Sequence, residues 1–285
     1  MANLKEIRNR ISSVSSTMQI TSAMKMVSAA KLKKAQDAIT AMRPYADKLT
    51  ELLQNLSATL DADSGSKFAD QREVKNVLIV AITSNRGLCG AFNSNIIKQA
   101  NYLANSYEEK KVSVVAIGKK ANDALSKDYE ILANESTVFD DLTFDNVAQI
   151  AELLMEKFED GSIDNIELVY NKFKNAATQI VTTEQFLPIV SSAEGANANQ
   201  DYIFEPSKVE IVETLIPKSL KTQLFKAIRD SFASEHGARM TAMHKATDNA
   251  TELRDQLKLT YNKARQAAIT NEILEIVGGA EALNN

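Results

Sequence analysis

The stretch "TSNRGLCGAFNSN", Thr83 to Asn95, follows a β-branched run and precedes a helical pattern, the position a phosphate-binding loop takes in a dinucleotide fold. Its glycines, Gly87 and Gly90, give G-x-x-G rather than G-x-G-x-x-G, and no Lys-Ser or Lys-Thr pair follows them. The fingerprint also needs an acid at the end of the second strand, and that strand ends in Lys119 and Lys120. The stretch reads instead as a tight strand-to-helix turn needing two glycines, with Arg86 available for a neighbour. Cys89 is a nucleophile only beside a base, yet no histidine lies within about 140 residues of it; it reads as a small packed side chain. His236 and His244 form no HExxH pairing, and Asp140 and Asp141 read as loop or capping residues rather than an acid/base pair. One Cys and two His leave no disulfide, no Cys-based metal cluster and no histidine cage. No catalytic, cofactor or metal site is expected.

A second group of residues suits contact rather than catalysis. "AMKMVSAAKLKKAQ", Ala23 to Gln36, carries Lys25, Lys31, Lys33 and Lys34 without one acid, and Met24 and Met26 alternate with small residues. From Met1 to Gln36 the only acid is Glu6. A solvated helix face is one reading. Nucleic acid is a second, but aromatics to stack are missing here and the net charge of the chain is −4. An acidic protein surface passing close by is the third, favoured by small side chains that leave a smooth helix and by adaptable methionines.

The elements that carry these residues are long helices. Stepping by three and four from Leu4 meets Ile7, Ile11, Val14, Met18, Thr21, Lys25, Ser28, Leu32, Ala35, Ile39, Met42, Ala46, Leu49, Leu53, Leu56 and Leu60. Only Thr21, Lys25 and Ser28 break this heptad seam. There the apolar residues move one place back, to Ile20, Met24 and Val27, so the stripe is expected to rotate around the helix. Pro44 is expected to bend the helix rather than end it, and "DADSGSK" to stop it. Near the other end Met243, Ala246, Ala250, Leu253, Leu257, Thr260, Ala264 and Ala267 repeat the spacing, with a greasier stretch beyond them and a stop at Gly278-Gly279. Each helix spans on the order of 80 Å, longer than a small domain is wide. The economical arrangement is an antiparallel pair; the alternative is two amphipathic helices packed on a central body.

Between them, "VKNVLIVAIT", "KVSVVAIG", "IDNIELVYNKF" and "ATQIVTTEQFLPI" read as strands, with helices near 93–109, 119–126 and 146–158. The fold class is therefore α/β plus long α: an antiparallel coiled coil of the terminal helices (1–60 and 207–280) with a central Rossmann-like α/β domain (70–190) whose sheet is mostly parallel. The charged start lacks the apolar run of a signal peptide, and no apolar run approaches the roughly 18 residues of a membrane span. The chain reads as intracellular and bacterial, meeting a membrane only through partners.

"MANLKEIRNRISSV", "ITSAMKMVSAAKLKKAQ", "RPYA", "SNRGLCGAFN" and "ATDNATELRDQLKLTYNKARQAAITNEILEIVGGAEAL" resemble the gamma subunit family of bacterial F-type ATP synthases. The resemblance covers the whole chain and is most specific in the terminal blocks. It implies a non-catalytic central rotor shaft inside an alpha3beta3 hexamer, footed on the epsilon subunit and a c-subunit ring. Such a shaft couples proton-driven rotation to the beta-subunit catalytic sites and regulates proton flow, on the cytoplasmic face of the bacterial inner membrane. Residue by residue, Met24, Lys25, Lys31, Lys33 and Lys34 match the family's basic contact with a beta loop. Arg265, Gln266, Thr270 and Glu272 match its upper beta contact, and Ile273, Ile276 and Val277 its apolar bearing. Tyr202, Phe204 and Glu205 match its c-ring or epsilon contact, with Phe204 where tyrosine is common. Gln19 and Ser22 stand where basic residues are frequent, and no cysteine pair is inserted for a redox switch. The rivals are a self-sufficient coiled-coil scaffold, marked by a symmetric homodimer, and a nucleotide-dependent enzyme built on the α/β domain, marked by binding of ATP or NAD.

Overall fold

A computed structural model describes residues 4–57, 67–69, 72–189 and 208–283. In chain order the elements are α1 (Leu4–Ser57), β1 (Asn76–Ile82), α2 (Phe92–Ser106), β2 (Lys111–Ile117), α3 (Lys119–Leu125), β3 (Glu130–Asn134), α4 (Phe144–Glu159), β4 (Asn165–Phe173), β5 (Gln179–Leu187) and α5 (Lys208–Leu283). They fall into two compact units, one of Met1–Ser28 with Met240–Asn285, the other of Ala29–Arg239.

In the larger unit five strands are ordered β3-β2-β1-β4-β5. The β1–β2, β1–β4 and β2–β3 pairs are parallel, and β5 runs antiparallel at the edge. β1 is buried on both faces because every second residue meets a different core. Leu78, Val80 and Ile82 pack with Leu154 and Phe158 of α4 and with Leu220, Leu224 and Ile228 of α5. Val77, Ile79 and Ala81 pack with Ile96 and Ala100 of α2 and Ala121 of α3. The result is a three-layer α/β/α sandwich in which the N-terminal stretch of α5 supplies part of one outer layer. Four strands stand where their β-branched runs place them. The fifth, β3, is a short edge strand that is nowhere fully buried, so its sequence "EILAN" carries no alternation to betray it.

Glycine matters here at two close approaches. A Cβ on Gly118, at φ 111°, would meet the Thr83 carbonyl oxygen at 2.2 Å, so the β2–α3 turn tolerates no side chain. In mid-α5, a Cβ on Gly237 would stand 3.1 Å from the Ala176 carbonyl oxygen, which lets the helix run close beside the β4–β5 turn.

In the smaller unit α1 and α5 lie antiparallel. Arg8 Nη2 donates to the Tyr261 hydroxyl at 2.8 Å, and the Thr21 and Thr247 hydroxyls share a hydrogen bond of 2.8 Å. The α1 seam passes straight through its polar break: Thr21 and Ser28 are buried, and Lys25 is half-buried between them. The expected rotation onto Ile20, Met24 and Val27 does not occur, since Ile20 is 60% and Val27 58% exposed. Hydroxyls that bond back to their own helix fit a tight interface where a lone polar group would be costly; Ser28 Oγ donates to the Met24 carbonyl at 2.8 Å. The same back-bonding at Ser15, Ser16 and Thr17 satisfies the hydroxyls of a polar run within the helix itself.

On α5 the seam takes Met243, Ala250, Leu257 and Ala264, as expected, but its alternate positions are Thr247, Arg254 and Tyr261, one residue beyond Ala246, Leu253 and Thr260. Arg254 lies against Met18, whereas Leu253 is 47% exposed. Long polar side chains here bury their stems and keep their heads near the surface. As expected, α1 continues through Pro44; α5 runs through Pro217 and outruns its one expected stop, Gly278-Gly279, to reach Leu283.

Burial sets a test of this register. Leu224→Ala, which empties a fully enclosed site, is expected to lower the unfolding free energy by about 2–5 kcal/mol. Leu253→Ala is expected to cost less than about 0.5 kcal/mol. Denaturant titration of the two full-length variants measures both, and a larger loss at Leu253 would return that residue to the seam.

Candidate interaction surfaces

The loop after β1 is held by its own side chains and by α5. Ser84 N donates to Asn93 Oδ1 at 2.9 Å, and Ser84 Oγ donates to the Arg86 carbonyl at 2.7 Å. Leu88 and Gly90, not Gly87, adopt positive φ. Arg239 of α5 donates from Nη1 to the Gly87 carbonyl and from Nη2 to the Arg86 carbonyl and to Glu235 Oε1. A helix side chain thus lies across the strand end where the sheet order reverses, the crevice a nucleotide takes in folds of this kind. The backbone donors nearby are engaged within the chain as well: Lys119 N by Asn85 Oδ1, Lys120 N by the Ser84 carbonyl, and Ala121 N by Thr83 Oγ1.

Cys89 is buried beside Ser84 and Asn93, and that burial pushes its thiol pKa up, which starves it of thiolate. Burial likewise raises the Glu235 carboxyl, against the opposing charges of Arg239, Lys31 and Arg86. His236 is 5% exposed, stands edge-on to Phe232, and neither ring nitrogen has a partner. Desolvation first, then Lys31 and Arg239, hold its pKa down at about 4. These groups position the loop and the helix.

The contact residues expected from the sequence fall on two faces. On α1, Lys31, Lys33 and Lys34 are exposed, around a buried line of Leu32, Ala35 and Ile39. In the smaller unit Met24 and Lys25 are half-buried, while Ile20, Met26 and Val27 point outward. This outward apolar patch escaped sequence reasoning, which assigned Ile20 and Val27 to the seam.

On α5, Arg265, Gln266, Thr270 and Glu272 are all exposed, and Thr270 Oγ1 donates to the Gln266 carbonyl at 2.9 Å. Ile273, Ile276 and Val277 are exposed too, and Ile269 and Leu274 join them, with Ile276 reaching 67%. The cause is local. Arg8 meets Tyr261 and α1 starts at Leu4, so α5 runs out of partner near Arg265 among the described residues. Ile269, Ile273, Ile276 and Val277 follow i, i+4, i+7 and i+8, one apolar stripe on a bare helix. Covering a large aliphatic side chain stabilises by about 1.5–3 kcal/mol, so a stripe of this kind marks a binding surface. Tyr202, Phe204 and Glu205 lie outside the described residues.

Known proteins resemble the chain throughout. A family profile described as ATP synthase matches residues 3–283. An ATP synthase gamma chain of Flavobacterium psychrophilum is 76% identical over 284 residues, 99% of each chain. That of Flavobacterium johnsoniae is 75% identical over 285 residues, 100% of each. Among solved structures, one chain of the Euglena gracilis mitochondrial ATP synthase (OSCP/F1/c-ring, rotational state 3) is similar with a TM-score of 0.70 at 25% identity, covering 98% of this chain and 94% of that one. A chain of the Tetrahymena thermophila mitochondrial ATP synthase (central stalk/c-ring) gives 0.59 at 26% identity, covering 80% and 99%.

The buried imidazole generates a pH dependence. Its folded pKa, about 4, lies below the ordinary 6.5, so between these values the unfolded chain takes up a proton that the folded chain refuses. Stability from this group is complete above about pH 6.5 and falls as pH drops toward 4, by on the order of 3 kcal/mol in all. In His236→Phe, the unfolding free energy between pH 7 and 4.5 is expected to fall less steeply than in the unsubstituted chain. Parallel profiles would remove His236 as the source.

Proposed function

The chain belongs to the ATP synthase gamma-chain family, and we propose that it works as the central rotor shaft of an F1Fo ATP synthase. It couples rotation of the c ring to conformational change at the beta-subunit catalytic sites, and through that coupling regulates proton flow. The observation that carries the reading is the bare end of α5. A helix that leaves its partner and presents Ile269, Ile273, Ile276 and Val277 to solvent needs an apolar socket from outside the chain. An alpha3beta3 hexamer closing around that end supplies one, with Ile273, Ile276 and Val277 as the bearing.

Work is transmitted by unequal contact. A shaft that touches three beta subunits with different faces stabilises different states in each, and turning it exchanges those states. Lys25, Lys31, Lys33 and Lys34 present cations, with Met24, Met26 and Val27 as a greasy margin, to an acidic beta loop. Arg265, Gln266, Thr270 and Glu272 make the upper contact, where both charge signs and hydrogen-bonding groups stand exposed. Exposed charges of this kind set register and approach more than raw affinity. Tyr202, Phe204 and Glu205 contact the c ring or epsilon.

The chain carries no catalysis of its own in this scheme; bond making stays on the beta subunits. The span 1–60 and the span 207–280 form the shaft, and 70–190 the body that meets epsilon and the c ring. No helix among the described residues is long and apolar enough to cross a membrane. The chain sits peripherally on the cytoplasmic face of the bacterial inner membrane, held there by its partners.

Lys33→Glu combined with Lys34→Glu is expected to leave the assembled complex intact and to reduce ATP synthesis in energised membrane vesicles by about five-fold or more, the lower end of a typical coupling factor. Undiminished synthesis by a fully assembled variant would remove these lysines from the contact. A purified chain that forms a symmetric dimer and does not assemble with alpha and beta would favour an autonomous scaffold instead.

A further inference from the structure

An open cavity of about 390 Å³ lies in the Ala29–Arg239 unit, at a place that neither contact surface uses. Four cations line it, Arg43 from α1, Lys172 from β4, Lys174 from the turn that follows, and Lys226 from α5. Phe173 and Ile180 form an apolar wall. One acid joins them. Asp230, one helical turn beyond Lys226, has a side chain only 1% exposed, and neither carboxylate oxygen receives a hydrogen bond. Arg43 Nη2 approaches Oδ1 to 3.7 Å, too far for a hydrogen bond, and donates instead to the Phe173 carbonyl at 3.4 Å.

A buried carboxylate without a donor is costly, and a native fold seldom keeps one without a use. Burial pushes the Asp230 carboxyl up, while Arg43, Lys226 and Lys172 hold it down. Four cations against one acid make the cavity attractive to anions and hostile to metal ions. The acid then narrows the choice, because an anion lying against it must bring a hydrogen of its own.

We propose that this cavity binds hydrogen phosphate, with Arg43, Lys172, Lys174 and Lys226 around its charged oxygens and Asp230 accepting the hydrogen of its P–O–H group. Charge-assisted bonds of both kinds are the strong ones. Sulfate has the same shape and charge but no hydrogen near neutral pH, so it sets an oxygen against the buried carboxylate. A phosphate monoester, largely without its last proton at pH 7.5 because that proton leaves near pH 6, meets the same repulsion. Discrimination of this kind comes from the group that is left unpaired.

Equilibrium dialysis of the purified full chain against labelled inorganic phosphate at pH 7.5 tests the site. One phosphate per chain is expected, displaced by arsenate, with sulfate and glycerol phosphate weaker by roughly ten-fold or more. Lys172→Gln, a change at an exposed side chain, is expected to weaken phosphate several-fold, and Asp230→Asn to abolish the preference over sulfate. Should Asp230→Asn not fold, the anion series and Lys172→Gln still decide. Equal binding of sulfate and phosphate by the unsubstituted chain overturns the role of Asp230. Glycerol phosphate binding more tightly than phosphate overturns the assignment to the free anion. Absence of saturable uptake overturns the site.

Discussion

The burial of the N-terminal stretch of α5 against the sheet is the packing on which the rest depends. Leu220, Leu224, Ala227 and Ile228 are enclosed among β1, β4 and α4, so this part of the helix is fixed by the core of the α/β layer. The residues that follow inherit that fixed direction. Ser234 Oγ donates to the Asn171 carbonyl on β4 at 2.9 Å, Gly237 passes the turn beside Ala176, and Arg239 clasps the loop after β1. A helix anchored in this way can carry an unsupported end, because folding of the anchored part offsets the cost of helix formation that an isolated segment would bear alone.

The same arrangement places a side chain of α5 in the loop crevice of a Rossmann-like sheet. Its topology leaves a crevice where the strand order reverses, but α5 contributes the side chains that engage the carbonyls there. The glycine pattern of the loop answers to that arrangement: Gly90 takes a positive φ, and Leu88 rather than Gly87 takes the other. Likeness of architecture alone does not assign a function to such a crevice; the side chains that fill it have to be read one by one.

What was legible in the sequence followed from strong periodicity. The α1 seam is read correctly at Ile7, Leu32, Ala35, Ile39, Ala46 and Leu49, all buried, because these positions carry apolar side chains at heptad spacing. The strands β1, β2, β4 and β5 announce themselves by β-branched runs. The errors have a common cause, that hydrophobicity is an incomplete proxy for burial. Ile20 and Val27 are apolar yet face outward, while Thr21 and Ser28 are polar yet line the interface, since their hydroxyls find partners within reach. On α5, Thr247, Arg254 and Tyr261 hide the alternate seam positions behind polar atoms. The cavity around Asp230 was invisible for another reason: its residues come from distant elements, and no local spacing brings Arg43 beside Lys172 and Lys226. The exposed ends were legible as greasy or basic stretches, but only the pairing of Arg8 with Tyr261 shows where, among the described residues, the α5 stripe lies beyond its partner helix.

The chain has a single cysteine, and the fold seals it: Cys89 is 1% exposed and its thiol is held in the unreactive form. It is thereby a molecule with a silent thiol background. A cysteine placed at an exposed position such as Lys33 or Ile276 becomes the one addressable sulfur, open to a fluorophore, a spin label or a cross-linker without first engineering the native one away. The geometry of the two proposed contact faces can be followed, one attachment point at a time, in an otherwise unaltered chain.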